Sequence, residues 1–266
     1  MIETEFRKQL FRLRTYIVLA LMAGIPTLLT LAFKFGSRPG RGGERDFFSL
    51  ATNSGLNVPL AALSAMSVFL IPIVDLVFAG GSVAEESNWG TIRYLLVRPI
   101  SRSRFLASKL TVAGVLGFAA ILTAVFVGSV EGIAVFGWHP VLSPTLATFQ
   151  PGDAVWRILL ATAYVGWSMS GIVAFAFFLS TLTSSSMGAV SGAMGVAIVS
   201  QILEAITPLR NMRSVLPTHY WHAWESLFSN PVNTDNILRG VLLQVPFVMV
   251  FLTLAWWMFG RKDIIA

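Results

Sequence analysis

One charged segment separates two long apolar stretches of the chain: residues 81–109, GSVAEESNWGTIRYLLVRPISRSRFLASK. The stretch before it, residues 56–80, has Asp75 as its one charged residue, and the stretch after it, residues 110–136, has only Glu131. Each stretch is long enough to cross a bilayer, which takes about 20 apolar residues. We therefore expect two membrane spans joined by an organised polar connection, which docks on another molecule rather than only reversing the chain.

The composition favours a membrane protein over a soluble one. The chain is 55% hydrophobic and 12% charged, with a mean hydropathy of +0.72. Soluble domains carry about 25% charged residues, so this chain has too few polar side chains to cover a soluble surface. Its net charge of +6 is explained by lysines and arginines near span ends and does not indicate nucleic-acid binding. The absence of cysteine excludes disulfides and cysteine-ligated metals.

The apolar stretches predict an all-α polytopic membrane protein that forms a single transmembrane domain over residues 1–266. Six transmembrane helices are expected, at about residues 16–33, 56–80, 110–136, 155–181, 187–207 and 238–260. Residues 1–15 place apolar and basic side chains on different helical faces, which predicts an amphipathic helix in the membrane interface; a frayed basic tail is the alternative. Lysines and arginines weakly favour both ends in the cytoplasm, since the first loop on the other side is also basic.

The charged segment contains an ordered series of residue types. Glu85 and Glu86 can open a short helix and complement its positive end. Pro99 ends that helix, because the residue before a proline is biased away from helical geometry. Between these limits, Tyr94 and Leu95 supply an apolar face, with charged contacts at its rim. A hairpin loop anchored to lipid headgroups is the alternative interpretation.

This series resembles the connection between spans two and three in permease subunits of ABC exporters, and more narrowly in bacterial export permeases related to the ABCG (type V) fold. The residues that carry the resemblance are Glu85, Glu86, Gly90, Thr91, Leu95, Leu96, Pro99, Ile100, Ser101, Arg102 and Lys109, with the ending Phe259-Gly260-Arg261-Lys262-Asp263. The resemblance implies that the segment is a cytoplasmic coupling helix that contacts a separate ATPase subunit, beside the N-terminal helix. The residues expected in that contact are Glu85, Glu86, Gly90, Thr91, Tyr94, Leu95, Arg98, Pro99, Ser101 and Arg102.

The resemblance also implies the partners and the substrate path. Two permeases, as a homodimer or a pseudo-symmetric heterodimer, work with two ATPases in the bacterial inner membrane. The sequence lacks a Gly-x-x-x-x-Gly-Lys-Ser/Thr phosphate loop, so we expect ATP and Mg²⁺ in the partner subunit, and neither a cofactor nor enzymatic activity in this chain. Spans two and five line the central path in the family, which makes candidates of Met66, Phe69, Leu70, Met194 and Ile198. This apolar lining suits the export of an amphipathic drug, peptide or lipid-like substrate.

Two other functional classes stay open. A stand-alone six-span secondary transporter or channel needs paired intramembrane charges or broken helices at the midplane, and the sequence offers Pro72 near Asp75 without a matching half-site. A membrane enzyme needs a catalytic constellation. The serines of residues 166–171 have no histidine within a predicted span to act as their base.

Several polar residues interrupt the apolar pattern. Asp75, Glu131 and Glu204 lie within or near spans, where ionised side chains are costly and often functional. We expect Asp75 to pair with Lys109 or a nearby arginine.

The sequence HYWH, residues 219–222, has two histidines spaced to share a helical face, which fits a metal site. The aromatic residues Tyr220, Trp221 and Trp224 favour a different interpretation: an interfacial or re-entrant helix in an aromatic belt. We predict no metal site.

Overall fold

A computed structural model of the protein describes residues 2–36, 46–88 and 101–261. The described residues are mostly helical, and the α-helices in chain order are α1 (Ile2–Leu10), α2 (Leu13–Phe35), α3 (Asn57–Val68), α4 (Leu70–Asn88), α5 (Arg102–Phe136), α6 (Pro151–Ser168), α7 (Ser170–Leu182), α8 (Ser186–Ala205) and α9 (Thr234–Arg261). A small antiparallel hairpin, β1 (Val141–Leu142) and β2 (Thr148–Phe149), follows α5. Two 3-10 helices, Thr207–Val215 and Ala223–Phe228, lie between α8 and α9.

Five parts of this structure are helices long and apolar enough to cross a membrane: α2, α5, the run from Pro151 to Leu182, α8 and α9. The pair α3–α4 meets the same condition when the two helices are taken together, and it is bent by 59°. The chain is therefore a helical protein with five or six apolar helices able to span a membrane. The predicted interfacial position of α1 stays a prediction.

The bent pair runs beside α5 over the length of that helix. At one end the Gly55 amide donates to the Gly137 carbonyl over 3.0 Å, and at the other end Glu86 pairs with Lys109. We name the end that holds α1, Glu86 and Lys109 the terminal face, because the last helix also ends there. The end that holds the β-hairpin and the 3-10 helices is the opposite face.

The bend between α3 and α4 has a local cause. Pro72 has no amide hydrogen, so it cannot donate to the carbonyl of Val68, and its ring crowds that carbonyl. Phe69 takes a non-helical conformation between the two helices, with φ −138° and ψ −51°. The Gln201 side chain, from α8, donates its Nε2 hydrogen to the Val68 carbonyl over 2.9 Å. A backbone group that would be unsatisfied in lipid is thus satisfied by a neighbouring helix.

Helix α4 lies at the centre of the packing, against α5, α7 and α8. Small residues permit this close approach: Gly80 faces Val190 of α8, and Gly132 of α5 faces the backbone of Gly55. Van der Waals contact of this kind drives helix association in membranes. Helices α8 and α9 keep exposed apolar sides toward the surroundings, among them Val199, Ile202, Leu242 and Met249.

The charged segment that was predicted to lie outside the spans, residues 81–109, is helical at both of its ends. Helix α4 continues to Asn88 and α5 begins at Arg102, and the position of these turns outside the membrane stays a prediction. The prediction that Glu85 and Glu86 open a separate helix is wrong, because both lie in the last turn of α4. Helix α4 can extend this far because basic side chains neutralise both glutamates.

Candidate functional site

Seven charged side chains meet at the terminal face and join four parts of the chain. We name this group the charged clamp: Glu5, Lys8, Arg12, Arg14, Glu85, Glu86 and Lys109. Two come from α1, two from the start of α2, two from the last turn of α4 and one from α5. The clamp adjoins residues 89–100, which connect α4 to α5.

Glu86 is the most enclosed acid of the clamp, with 1% of its side chain exposed. It pairs with Lys8 of α1 and with Lys109 of α5, whose Nζ lies 2.8 Å from Glu86 Oε1. Lys109 is 2% exposed and also contacts Glu5 Oε1 at 2.7 Å. One buried ammonium therefore connects α1, α4 and α5.

Glu85 forms the second half of the clamp. Its two carboxylate oxygens accept from Arg12 and Arg14. Gln9, which is buried, donates to Glu5 over 3.0 Å and accepts from Arg14 over 2.7 Å. Gln9 thereby links the Glu85 half of the clamp to the Glu86 half.

The backbone of α4 leaves space for these contacts at Gly81. A Cβ atom at this position would meet the guanidinium of Arg14 and the carboxylate of Glu85. Farther from the clamp, the Ser180 hydroxyl of α7 accepts from the amides of Val83 and Ala84 over 3.0 and 2.9 Å. The last turns of α4 are thus fixed by ion pairs on one side and by α7 on another.

The clamp contains four cations and three carboxylates in a largely enclosed place. Breaking a buried pair leaves an uncompensated charge away from water, which costs about 3–5 kcal/mol. This arrangement favours joint movement of α1, the end of α4 and the start of α5. The clamp can transmit a displacement from one element to the others.

The start of α5 is fixed to the last helix by the residues that follow the connection. The Ser101 side chain caps α5 by accepting from the Arg104 amide over 3.3 Å. Arg102 donates to the carbonyl of Gly260 over 2.8 Å and to that of Phe259 over 3.2 Å. Guanidinium groups suit the unpaired carbonyls at a helix end, so this contact attaches the end of α9 to α5.

Four of the residues predicted for the ATPase contact lie in the described chain: Glu85, Glu86, Ser101 and Arg102. The two glutamates bind within the clamp, and Ser101 and Arg102 fix the end of α5 as described above. The other six lie outside the described residues, and their role stays a prediction: Gly90, Thr91, Tyr94, Leu95, Arg98 and Pro99. The pattern of the charged segment did not predict Glu5 and Gln9, although their i,i+4 spacing places both on one face of α1.

Four of the five residues predicted for the substrate path are at least partly exposed, and the fifth, Met66, is not. Met66 is buried within the chain, with 2% exposure, and does not reach the surface in this structure. Leu70 and Met194 are half-buried and pack against the core. Phe69 and Ile198 are exposed, at 54% and 40%.

Polar side chains from the second 3-10 segment contact the span near its bend. His222 Nε2 lies 3.3 Å from the Ser67 hydroxyl, and Glu225 hydrogen-bonds with Ser64. Partial burial lowers the pKa of His222. Burial also raises the pKa of Glu225, with Ser64 opposing the shift and Asp46 adding to it. Both shifts favour the neutral forms.

The acids noted in the apolar pattern have different surroundings. The prediction that Asp75 pairs with Lys109 is wrong, since Lys109 binds Glu5 and Glu86 and the buried Asp75 carboxylate packs against Gly117. Glu131 accepts from Thr27 of α2 over 2.8 Å.

At the opposite face, Glu204 binds Arg213 and His219 at 2.7 and 2.8 Å. The two histidines of HYWH thus contact different partners, Glu204 and Ser67. Within the described ranges no cluster of three metal-ligating side chains is found. Trp221 and Trp224 are buried within the protein, and Trp224 stacks on Phe47 at 5.4 Å; the interfacial or re-entrant position of this segment stays a prediction.

Comparisons with known proteins identify related sequences. A family model described as "Protein of unknown function (DUF2705)" matches residues 47–265. The chain is 27% identical over 219 residues to "Uncharacterized protein YhcI" of Bacillus subtilis (strain 168). The aligned region covers 76% of this chain and 67% of that protein. It is also 27% identical over 146 residues to "Probable ABC transporter permease protein NosY" of Stutzerimonas stutzeri. That aligned region covers 52% of this chain and 46% of that protein.

Proposed function

The chain belongs to the family described as "Protein of unknown function (DUF2705)", and from this premise we propose that it is the membrane-spanning permease subunit of an ATP-driven ABC transporter. Its five or six apolar helices support a multi-pass membrane protein. The similarity to the Stutzerimonas permease over half of the chain supports the transporter class. An ATPase partner is part of the proposal, because the sequence carries no phosphate loop of its own.

The charged clamp is the observation that carries this proposal. It holds the last turn of α4, and Lys109 and Arg102 hold the start of α5. Both ends of residues 89–100 are therefore attached to a network that includes α1 and α9. A partner that pushes on residues 89–100 moves these elements together, because the ion pairs are costly to separate.

In the proposed mechanism, ATP binding draws two partner ATPases together and displaces residues 89–100 on the cytoplasmic side, which we assign to the terminal face. The bend at Phe69 lets α4 move while α3 stays with the opposite face, as hinge motion requires. Two permease copies enclose the path with their second and fifth spans. The exposed Phe69 and Ile198 support an apolar lining, which suits export of an amphipathic drug, peptide or lipid-like substrate.

Cysteine crosslinking tests the partner and its docking surface. The chain has no native cysteine, so Ser101→Cys, which follows residues 89–100 and is exposed, introduces a single thiol. We expect a maleimide crosslinker to join it to a co-expressed ABC ATPase encoded beside this chain. Thr234→Cys, exposed at the opposite face, is the matched control and is expected to give no such product.

The result against the proposal is equally specific. If no nucleotide-hydrolysing protein copurifies with the chain, and neither thiol crosslinks to the ATPase, the permease assignment fails. Crosslinking from Thr234→Cys alone would instead reject the docking surface and the assignment of the cytoplasmic side.

A stand-alone secondary transporter is the second candidate, and the broken span α3–α4 favours it. Interrupted helices with polar contacts near the bilayer centre are typical of secondary transporters, and Ser67, His222 and Glu225 lie beside this break. Uptake or efflux in proteoliposomes distinguishes the two functions. Transport that requires ATP and the partner supports the permease, whereas transport by the chain alone under a proton gradient supports the secondary transporter.

A further inference from the structure

A polar cleft of about 530 Å³ opens at the opposite face, far from the charged clamp. The first 3-10 helix, the turn after it and the start of α9 form its walls. Its lining is rich in hydrogen-bond donors, among them Asn211, Arg213, His219, Asn236 and Arg239. Such a cleft suits an anion that accepts several hydrogen bonds.

The cations of the cleft are only partly neutralised. Arg213 donates from Nη2 to Glu204 over 2.7 Å, and its Nη1 makes no hydrogen bond within the described ranges. Arg239 is exposed and pairs with no acid in the described part of the chain. His219 contacts the same Glu204 at 2.8 Å. Of the two guanidinium groups, that of Arg213 pairs with Glu204 and that of Arg239 does not, so the cleft has an excess of positive charge.

Exposed apolar side chains lie near the lining residues along the chain, on both helices that form the cleft. Met212 and Val215, on the first 3-10 helix, are 71% and 64% exposed. Leu238 and Leu242, on the first turns of α9, are both 58% exposed. Because α9 is apolar enough to span the bilayer, its polar start with an adjacent arginine lies at the depth of lipid headgroups. The cleft therefore faces headgroups rather than open solution alone.

We propose that this cleft binds the phosphodiester of an anionic phospholipid from the leaflet at the opposite face. Guanidinium groups form strong, directional hydrogen bonds with phosphate oxygens. Arg239 and the free nitrogen of Arg213 hold the phosphate, and the amides of Asn211 and Asn236 are placed to bind the polar headgroup. The acyl chains lie along the exposed leucines of α9. This site lies beyond the proposed transport function and requires no ATPase.

Native mass spectrometry of the full-length chain, titrated with dioleoylphosphatidylglycerol in detergent, tests the site. Arg239→Gln removes one cation without breaking an ion pair, and we expect it to weaken binding about fivefold, since each basic residue near an anionic membrane contributes about 1 kcal/mol. Arg104→Gln removes one exposed cation at the terminal face and is the matched control, with less than a twofold loss expected. Glu204→Gln releases Arg213 from its acid and is expected to strengthen binding.

Three outcomes overturn the proposal. The first is an equal loss of lipid affinity in Arg239→Gln and Arg104→Gln, which means that the lipid responds to the total charge of the protein rather than to the cleft. The second is equal affinity of the native chain for phosphatidylglycerol and dioleoylphosphatidylcholine. The third is complete displacement of the lipid by soluble glycerol phosphate at a similar concentration, which means that a free anion is the ligand. Each measurement omits nucleotide and ATPase, so failure here leaves the permease proposal untouched.

Discussion

The two faces of the protein each hold a glutamate bound to two basic side chains, but they differ in access to water. At the terminal face, Glu86 and Lys109 are 1% and 2% exposed. At the opposite face, Glu204 is 25% exposed, and its partners Arg213 and His219 are 29% and 26% exposed. Water can replace a partner of Glu204 at little cost, whereas Glu86 has no such substitute. The buried group is suited to transmitting movement, and the partly exposed group is suited to binding ligands.

Removing the central cation of the clamp is the largest expected change. Lys109→Met leaves Glu86 and Glu5 without their shared partner, and we expect the free energy of unfolding to fall by about 3–5 kcal/mol. Arg213→Met, at the opposite face, is the matched substitution and is expected to cost under about 1 kcal/mol. Unfolding of the two purified variants in mixed micelles measures both values.

A double variant sharpens this test. Glu86→Met together with Lys109→Met removes both charges, and it is expected to regain part of the stability, since an apolar pair can replace a buried ion pair. If Lys109→Met and Arg213→Met destabilise the protein equally, the contrast between the two faces is wrong.

Substitutions that add volume are expected to destabilise the opposite face more than the terminal face. At the opposite face, a Cβ atom on Gly132 meets the backbone carbonyl of Gly55, which cannot move without shifting α3. At the terminal face, the atoms nearest to a Cβ atom on Gly81 are at the ends of the Arg14 and Glu85 side chains. We expect Gly132→Ala to cost about 1–3 kcal/mol and Gly81→Ala to cost less, by thermal unfolding in detergent. A larger loss in Gly81→Ala would mean that the clamp has no freedom to adjust.

The hydrogen bond at the bend between α3 and α4 is expected to contribute less to stability. Gln201→Leu removes the donor to the Val68 carbonyl and is expected to cost about 0.6 kcal/mol, the average for such bonds within membranes. Pro72→Ala restores an amide at position 72 and can satisfy that carbonyl from within the helix. In the background of Pro72→Ala, the effect of Gln201→Leu is expected to vanish. If the two substitutions lower the stability additively, the contribution of Gln201 does not depend on the bend.

Sequence patterns predicted a helical protein with several apolar helices able to span a membrane, because hydrophobic length is a local property. Helices α4 and α5 each extend eight residues beyond the predicted span ends at 80 and 110, and Pro72 was visible beside Asp75. The position of Glu86 was not predictable in the same way, because its partners Lys8 and Lys109 are distant in the chain and meet it only after the helices pack. Gln201 likewise has no local signal, since its role depends on a carbonyl that a proline in another helix leaves free.

Titration of Glu225 and His222, the polar group near the bend, is expected to give the smallest effect on stability. Burial raises the pKa of Glu225 above its ordinary value of 4.5, so the folded chain holds this proton more tightly than the unfolded chain does. The stability from this group is complete below that ordinary value and is lost as the pH rises through the folded pKa. Glu225→Gln carries no charge, so its stability relative to the native chain is expected to increase from about pH 4 to about pH 8.

His222→Gln provides a control with the opposite sign. Burial lowers the pKa of His222 from 6.5, so its stability is complete above that value and is lost as the pH falls through the folded pKa. The stability of this variant relative to the native chain is therefore expected to increase only at acid pH. Melting curves recorded at constant ionic strength measure this difference. Because the two substitutions act in opposite pH ranges, a general effect of pH on the detergent-bound protein cannot imitate both. If both variants follow the native curve at every pH, water reaches the side chains of Glu225 and His222 freely, and these residues resemble the partly exposed Glu204 group rather than the clamp.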